Sequence, residues 1–231
     1  MKFYADYDES YYKERVKYFS KRHIIKYVWF MLKNSEKLRW LDVGCGLGYL
    51  VKELLEEGVD GYGIEISEFA LKNAVVKGRV RYGSITDIPF NNENFDVVSA
   101  FDVLEHIHPK DTPKAVHEIH RVLKLGGVFI MTTPNPCHLG NWNWVYDLTH
   151  INVRPPKYWK KVLESQGFKV KIRYVPSFLK YYVSYKYPSI RQLVELIPDR
   201  LAFKFEEPLR HVLGYFFNRK SRLYILAVKS R

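Results

Sequence analysis

Apolar positions along this chain fall into short runs that alternate with stretches of helical spacing. Trp40, Leu41 and Val43 form one such run around a carboxylate, Asp42. Leu50, Val51, Leu54 and Leu55 then recur at the spacing of one helix face. Between them stand Gly44, Gly46 and Gly48. Strand, glycine turn and helix in this order open a nucleotide-binding βαβ unit. The glycines permit tight backbone angles and let a ligand lie against the main chain. Segment 59–66 (VDGYGIEI) reads as a second strand, ending in Glu65. A helix over 67–77 follows, capped by Ser67 with Glu68 in its first turn. Segment 95–101 (FDVVSAF) is continuously apolar, as a buried central parallel strand should be. Ala115, Val116, Ile119, Val122 and Leu123 mark a helix over 111–123. Gly126 and Gly127 supply a turn, and 128–132 a fifth strand. A helix over 155–167, a strand over 169–175 and a last strand over 222–229 complete the pattern. The fold class is α/β, a doubly wound, mostly parallel sheet with helices on both faces.

Length and composition narrow the picture. The 231 residues suffice for one domain with a full core. We read residues 1–37 as an N-terminal helical lid, 38–175 as the core, 176–221 as a helical insert and 222–231 as the closing strand. With 47% hydrophobic residues the chain is globular rather than disordered. A net charge of +12 suits an acidic partner: nucleic acid, an anionic lipid head group, or a phosphorylated or carboxylated small molecule. It equally suits a solvated basic surface. Two cysteines, Cys45 and Cys137, are too few for a disulfide framework, so a reducing, cytoplasmic setting is expected. No signal peptide and no run of 18 apolar residues is seen, so peripheral membrane contact is the most that is expected.

The glycine spacing is G-x-G-x-G with an acid two residues ahead, not the G-x-G-x-x-G of dinucleotide folds. It resembles the S-adenosylmethionine (SAM)-dependent methyltransferases of the Rossmann-like class, and within them the small type 11 domains. The resemblance runs from Trp40 to about Val170. It implies SAM as cofactor and a seven-stranded sheet of order 3-2-1-4-5-7-6 with strand seven antiparallel. Asp42, Gly44, Cys45, Gly46 and Gly48 would meet the amino-acid tail. Glu65 would accept both ribose hydroxyls, the role of an acid at the end of a second strand. Segment 80–90 resembles the third motif: Asp87 would accept from the adenine amino group and the Ile88 amide would address a ring nitrogen. Ile66 and Ile88 would sandwich the purine. FDVLEHI resembles the fourth motif and places Phe101, Asp102, Glu105 and His106 near the methyl group. The loop 134–153 then offers His138, Trp142, Trp144, Tyr146 and His150 to the acceptor. In similar enzymes an N-terminal aromatic covers the cofactor; Tyr4, Tyr7, Tyr11 and Tyr12 either serve that role or pack the N-terminal helix onto the sheet.

A sulfonium methyl is already activated, so the protein mainly aligns donor and nucleophile. An oxygen acceptor also needs a base near neutral pH, for which His106 and His150 are the candidates, beside Asp102. A small-molecule or lipid-linked acceptor is expected, with RNA as the alternative on account of the charge. A SAM-binding protein without turnover would carry the same loop. Asp102-x-x-Glu105-His106 with His150 also resembles the divalent-metal set of small-RNA 2′-O-methyltransferases, although Asp stands where those have Glu. The same Leu-Glu-His occurs in metal-free relatives, and no metal is expected.

Overall fold

The computed structural model describes residues 38–136, 149–173 and 222–230, with Glu9, Tyr11, Tyr12, Ile25, Leu32, Ser189 and Leu193. Most of the lid, of loop 134–153 and of the insert 176–221 lies outside the described residues, as do Cys137, His138, Trp142, Trp144 and Tyr146.

Seven strands form one sheet: β1 (Arg39–Val43), β2 (Asp60–Glu65), β3 (Val80–Tyr82), β4 (Phe95–Phe101), β5 (Leu123–Pro134), β6 (Phe168–Arg173) and β7 (Arg222–Lys229). Their order is β3-β2-β1-β4-β5-β7-β6, as the sequence resemblance implied. The first five run parallel, and β7 is antiparallel to both β5 and β6. The order reverses between β1 and β4. At such a switch point two adjacent crossovers go to opposite faces and leave a crevice at the carboxyl ends of the strands.

The helices are α1 (Tyr49–Glu56), α2 (Glu68–Lys72), α3 (Thr112–Val122) and α4 (Pro156–Ser165). Each sheet face has its own core. Trp40, Leu50, Leu54, Val97, Val128 and Ile130 pack together on one face. Leu41, Val43, Val98, Ala115, Ile119, Phe129, Trp159 and Leu163 pack on the other. β4 therefore buries side chains on both faces, which is why FDVVSAF has no polar alternation.

Two elements differ from expectation. The helix expected over 67–77 ends at Lys72. Asn73 turns its side-chain amide onto the Phe69 carbonyl at 2.8 Å, and the Val75 amide finds Leu47 O at 2.9 Å. Tertiary bonding thus takes the chain out of the helix and onto the glycine turn. β5 begins at Leu123, not 128. Gly126, at φ 77°, and Gly127 lie within it, and the register with β4 shifts between Phe95 and Val97. A Cβ on Gly127 would lie 2.8 Å from Lys124 O and 3.1 Å from Asp96 O, so only glycine permits this approach.

Candidate active site

The loop from β1 to α1 opens on the crevice. Gly44, Gly46 and Gly48 all have left-handed φ, at 69°, 54° and 79°. The Gly44 and Cys45 amides both donate to Ile64 O, at 2.9 and 3.1 Å, which ties the loop to β2. Asp42 is almost wholly buried at the end of β1. Its Oδ1 accepts from Ser99 Oγ at 2.7 Å, and Ser99 Oγ accepts from Trp40 Nε1 at 2.8 Å. Ser99 is Asp42's partner across the β1–β4 pair, so the sheet register itself aims this carboxylate. Burial, then the charges of Asp42 and Glu65, pushes the Cys45 thiol well up, so it stays protonated.

Glu65 is 7% exposed and gripped at both oxygens. Oε2 accepts the Gly46 amide at 2.9 Å; Oε1 accepts the Ile66 and Ser67 amides at 2.7 and 2.9 Å. The acid is thus fixed between the glycine loop and the start of α2. A carboxylate offers about four acceptor sites, so capacity remains for a further donor. Tyr12 lies over this place. Its ring stacks on Phe69 at 5.7 Å between centroids, and a Cβ on Gly46 would meet its Cε1 at 3.5 Å. Burial, then Glu65, pushes the Tyr12 phenol up from its ordinary value, while a hydrogen bond to the Ser67 side chain opposes this. Tyr12 is thus the N-terminal aromatic that reaches the loop among the described residues.

The third segment departs from expectation. Asp87 is exposed, on a turn closed by its own amide to Ser84 O at 3.0 Å. Ile66 is 37% exposed beside Glu65, a position open to a flat apolar ligand. Ile88 is not: it is 2% exposed and packs in the core with Ile64 and Ile85. Its amide donates to Glu118 Oε2 at 2.8 Å and is not available for a ring nitrogen. The expected purine sandwich therefore loses one side. Glu118 and Arg121, which sequence reasoning missed, hold this loop. Arg121 grips Glu118 through Nε and Nη2, both at 2.7 Å. It also donates to the carbonyls of Ile88 and Phe90. Their i,i+3 spacing was visible, but not the loop they would hold.

On the other side of the switch point, Phe101 is half-buried and Asp102 carries φ 57°, rare for a residue with a side chain. Thr132 stabilises that turn: its Oγ1 donates to Asp102 Oδ1 at 2.9 Å and its carbonyl accepts the Asp102 amide at 3.1 Å. A single 3₁₀ turn, Leu104–His106, follows. The structure brings His106 and His150 together, ring centroids 4.8 Å apart. Asn152, missed in the sequence, explains the meeting across 44 positions. It is 1% exposed; its amide donates to Glu105 O at 2.9 Å and its side chain to Leu104 O and Thr112 Oγ1. The segment after the loop is thereby pinned against the 3₁₀ turn.

A methyltransferase-domain family profile matches residues 9–171, so the chain belongs to the methyltransferase-domain family, of the Rossmann-like SAM-dependent class. A ubiquinone biosynthesis O-methyltransferase of Alkalilimnicola ehrlichii is 35% identical over 119 residues, covering 48% of this chain and 47% of that protein. The chain spans between 27% and 47% of the length of the first curated relatives it matches. A SAM-dependent methyltransferase from Archaeoglobus fulgidus superposes with TM-score 0.64 at 21% identity, covering 96% of this chain and 100% of that one. Phosphoethanolamine N-methyltransferase 2 of Haemonchus contortus, bound to S-adenosylhomocysteine (SAH), superposes with TM-score 0.60 at 18% identity, covering 92% of this chain and 53% of that one. At these identities the two structures share the fold with this chain. Among the described residues no helix is long and apolar enough to cross a membrane.

Proposed function

We propose that this chain transfers the methyl group of SAM to a small-molecule acceptor, soluble or lipid-linked. The observation that carries it is the clamp of Glu65 onto the Gly46 amide, at the switch point of the sheet. One acid and one bare backbone loop then stand where a ribose and an amino-acid tail meet. Asp42, Gly44, Cys45, Gly46 and Gly48 take the tail, and Glu65 the ribose hydroxyls. Ile66 covers one purine face, Asp87 approaches the exocyclic amine, and Phe101 borders the methyl end.

Asp102, His106 and His150 form the acceptor edge. The acceptor's lone pair attacks the methyl carbon, the carbon–sulfur bond breaks, and its electrons stay on sulfur as a neutral thioether. The acceptor's proton leaves toward this edge. The ubiquinone O-methyltransferase relative supports a small acceptor. The reading tests in two steps. Calorimetry with SAH measures cofactor binding, and radiolabelled methyl transfer into lysate, split into RNA, lipid and small-molecule fractions, identifies the acceptor. Label in the small-molecule or lipid fraction is expected. Label in RNA alone would overturn the acceptor assignment, and absence of SAH binding the whole reading.

A further inference from the structure

We propose that Glu105, His106 and His150 hold one divalent first-row transition-metal ion at the acceptor edge. The inference deepens the reading above, because it rests on this edge being where the acceptor docks.

The three side chains come from two segments that the sequence separates and the fold joins. One ligand-capable atom from each lies within 4.8 Å of the other two. The longest such distance in an octahedral site with bonds near 2.1 Å is about 4.2 Å, and tetrahedral sites are tighter. At most one pair can take that distance, neighbouring ligands of one ion standing about 3.0–3.4 Å apart, so side-chain rotation would have to draw the three atoms inward by up to about 1 Å each. Two imidazoles with one carboxylate favour an ion such as Zn²⁺, Mn²⁺ or Fe²⁺ over Mg²⁺ or Ca²⁺, which prefer oxygen alone. Three protein ligands leave further positions open, the pattern of a working rather than a structural site.

The surroundings fit the role. His106 Nδ1 lies 3.1 Å from Thr149 O. A carbonyl there takes the Nδ1 proton and leaves Nε2 as the donor toward an ion, the usual outer support of a ligating histidine. Glu105 is 0% exposed. Both histidines are only half-buried. Asn152 joins both segments through the Glu105 and Leu104 carbonyls, which holds the spacing before any ion arrives. Asp102 is outside the cluster. Its Oδ1 accepts from Thr132 Oγ1, so the set differs from the four-residue pattern that the sequence suggested.

An ion here would coordinate an oxygen of the acceptor and ease loss of its proton. The imidazoles would then act as ligands rather than as the base. The acceptor class narrows to hydroxyl-bearing molecules.

The test uses the full chain, stripped with chelator. Zn²⁺ is titrated by calorimetry, and Co²⁺ by its visible absorption. One ion per chain is expected. His106→Ala and His150→Ala should each weaken it at least about tenfold, while SAH affinity, measured on the same samples, shows that the variants are folded. Wild-type protein that binds SAH but takes up no ion saturably would overturn the proposal. So would ion binding that survives both substitutions. Loss of SAH binding in the wild-type chain would instead strike the cofactor reading, which keeps the two failures apart.

Discussion

Val103 Cγ2 lies 2.6 Å from the point where a Cβ on Gly44 would stand. The first glycine of the loop therefore does two things: it adopts φ 69°, and it lets the residue after Asp102 close over β1. Gly44→Ala meets both costs, about 1–2 kcal/mol for the left-handed backbone and about 1–3 kcal/mol for overpacking. Gly58 isolates the first term, since it has φ 80° with nothing within 4 Å of its would-be Cβ. Denaturant unfolding should show Gly44→Ala clearly less stable than Gly58→Ala. Equal losses would mean that the Val103 contact is immaterial.

Glu65→Gln tests the ribose clamp. The substitution keeps the shape but removes the charge and one acceptor oxygen. Hydrogen bonds to a charged group contribute about 1.5–3 kcal/mol each, so SAH affinity should fall about 10- to 150-fold by calorimetry. Wild-type affinity in this variant would remove Glu65 from the cofactor site. Thermal unfolding should fall as well, because three backbone amides share that carboxylate.

The sheet was readable because its central strands are buried on both faces and so appear as mostly apolar runs. The glycine loop and Glu65 were readable because backbone chemistry at a strand end demands particular residues. Ile88 was not. Its turn-like surroundings hid that α3 would send Glu118 to its amide, a partner 30 positions away. The proximity of His106 and His150 depends on Asn152, which bonds across to the 3₁₀ turn, and no local pattern announces such a residue. Helix α2 stops early for a similar reason: Val75 has a better partner in Leu47 than in its own helix. Local rules located the elements of the sheet, and long-range hydrogen bonds set their ends and brought His106 and His150 together.

The Glu118–Arg121 pair gives an acid-side prediction. The Arg121 hydrogen bond, chiefly, holds the Glu118 carboxyl below its ordinary value of 4.5, against desolvation and with help from the Ile88 amide. The folded pKa is the lower one. The pair's contribution to stability is therefore complete above about pH 4.5 and is lost as pH falls through the depressed folded value. Arg121→Gln should remove that dependence and loosen the loop after β3. Measured as unfolding free energy between pH 6 and 3, the wild type should lose stability more steeply than the variant. Parallel curves would show that the pair does not couple to folding.

Tyr12 distinguishes a cover from a charge-reading ring. It stacks on Phe69 and lies over Gly46, at the mouth of the crevice. An aromatic face attracts a cation by about 0.5–2 kcal/mol, depending on exposure. SAM carries a sulfonium and SAH does not, while the two are otherwise alike in what they present to the loop. If the ring faces the sulfonium, Tyr12→Ala should weaken SAM about two- to thirtyfold more than SAH. Tyr12→Phe should restore most of the difference, because the face is kept and only the hydroxyl is lost. Equal losses for both ligands would assign the ring to covering the loop. No loss in either would place it outside the cofactor site altogether.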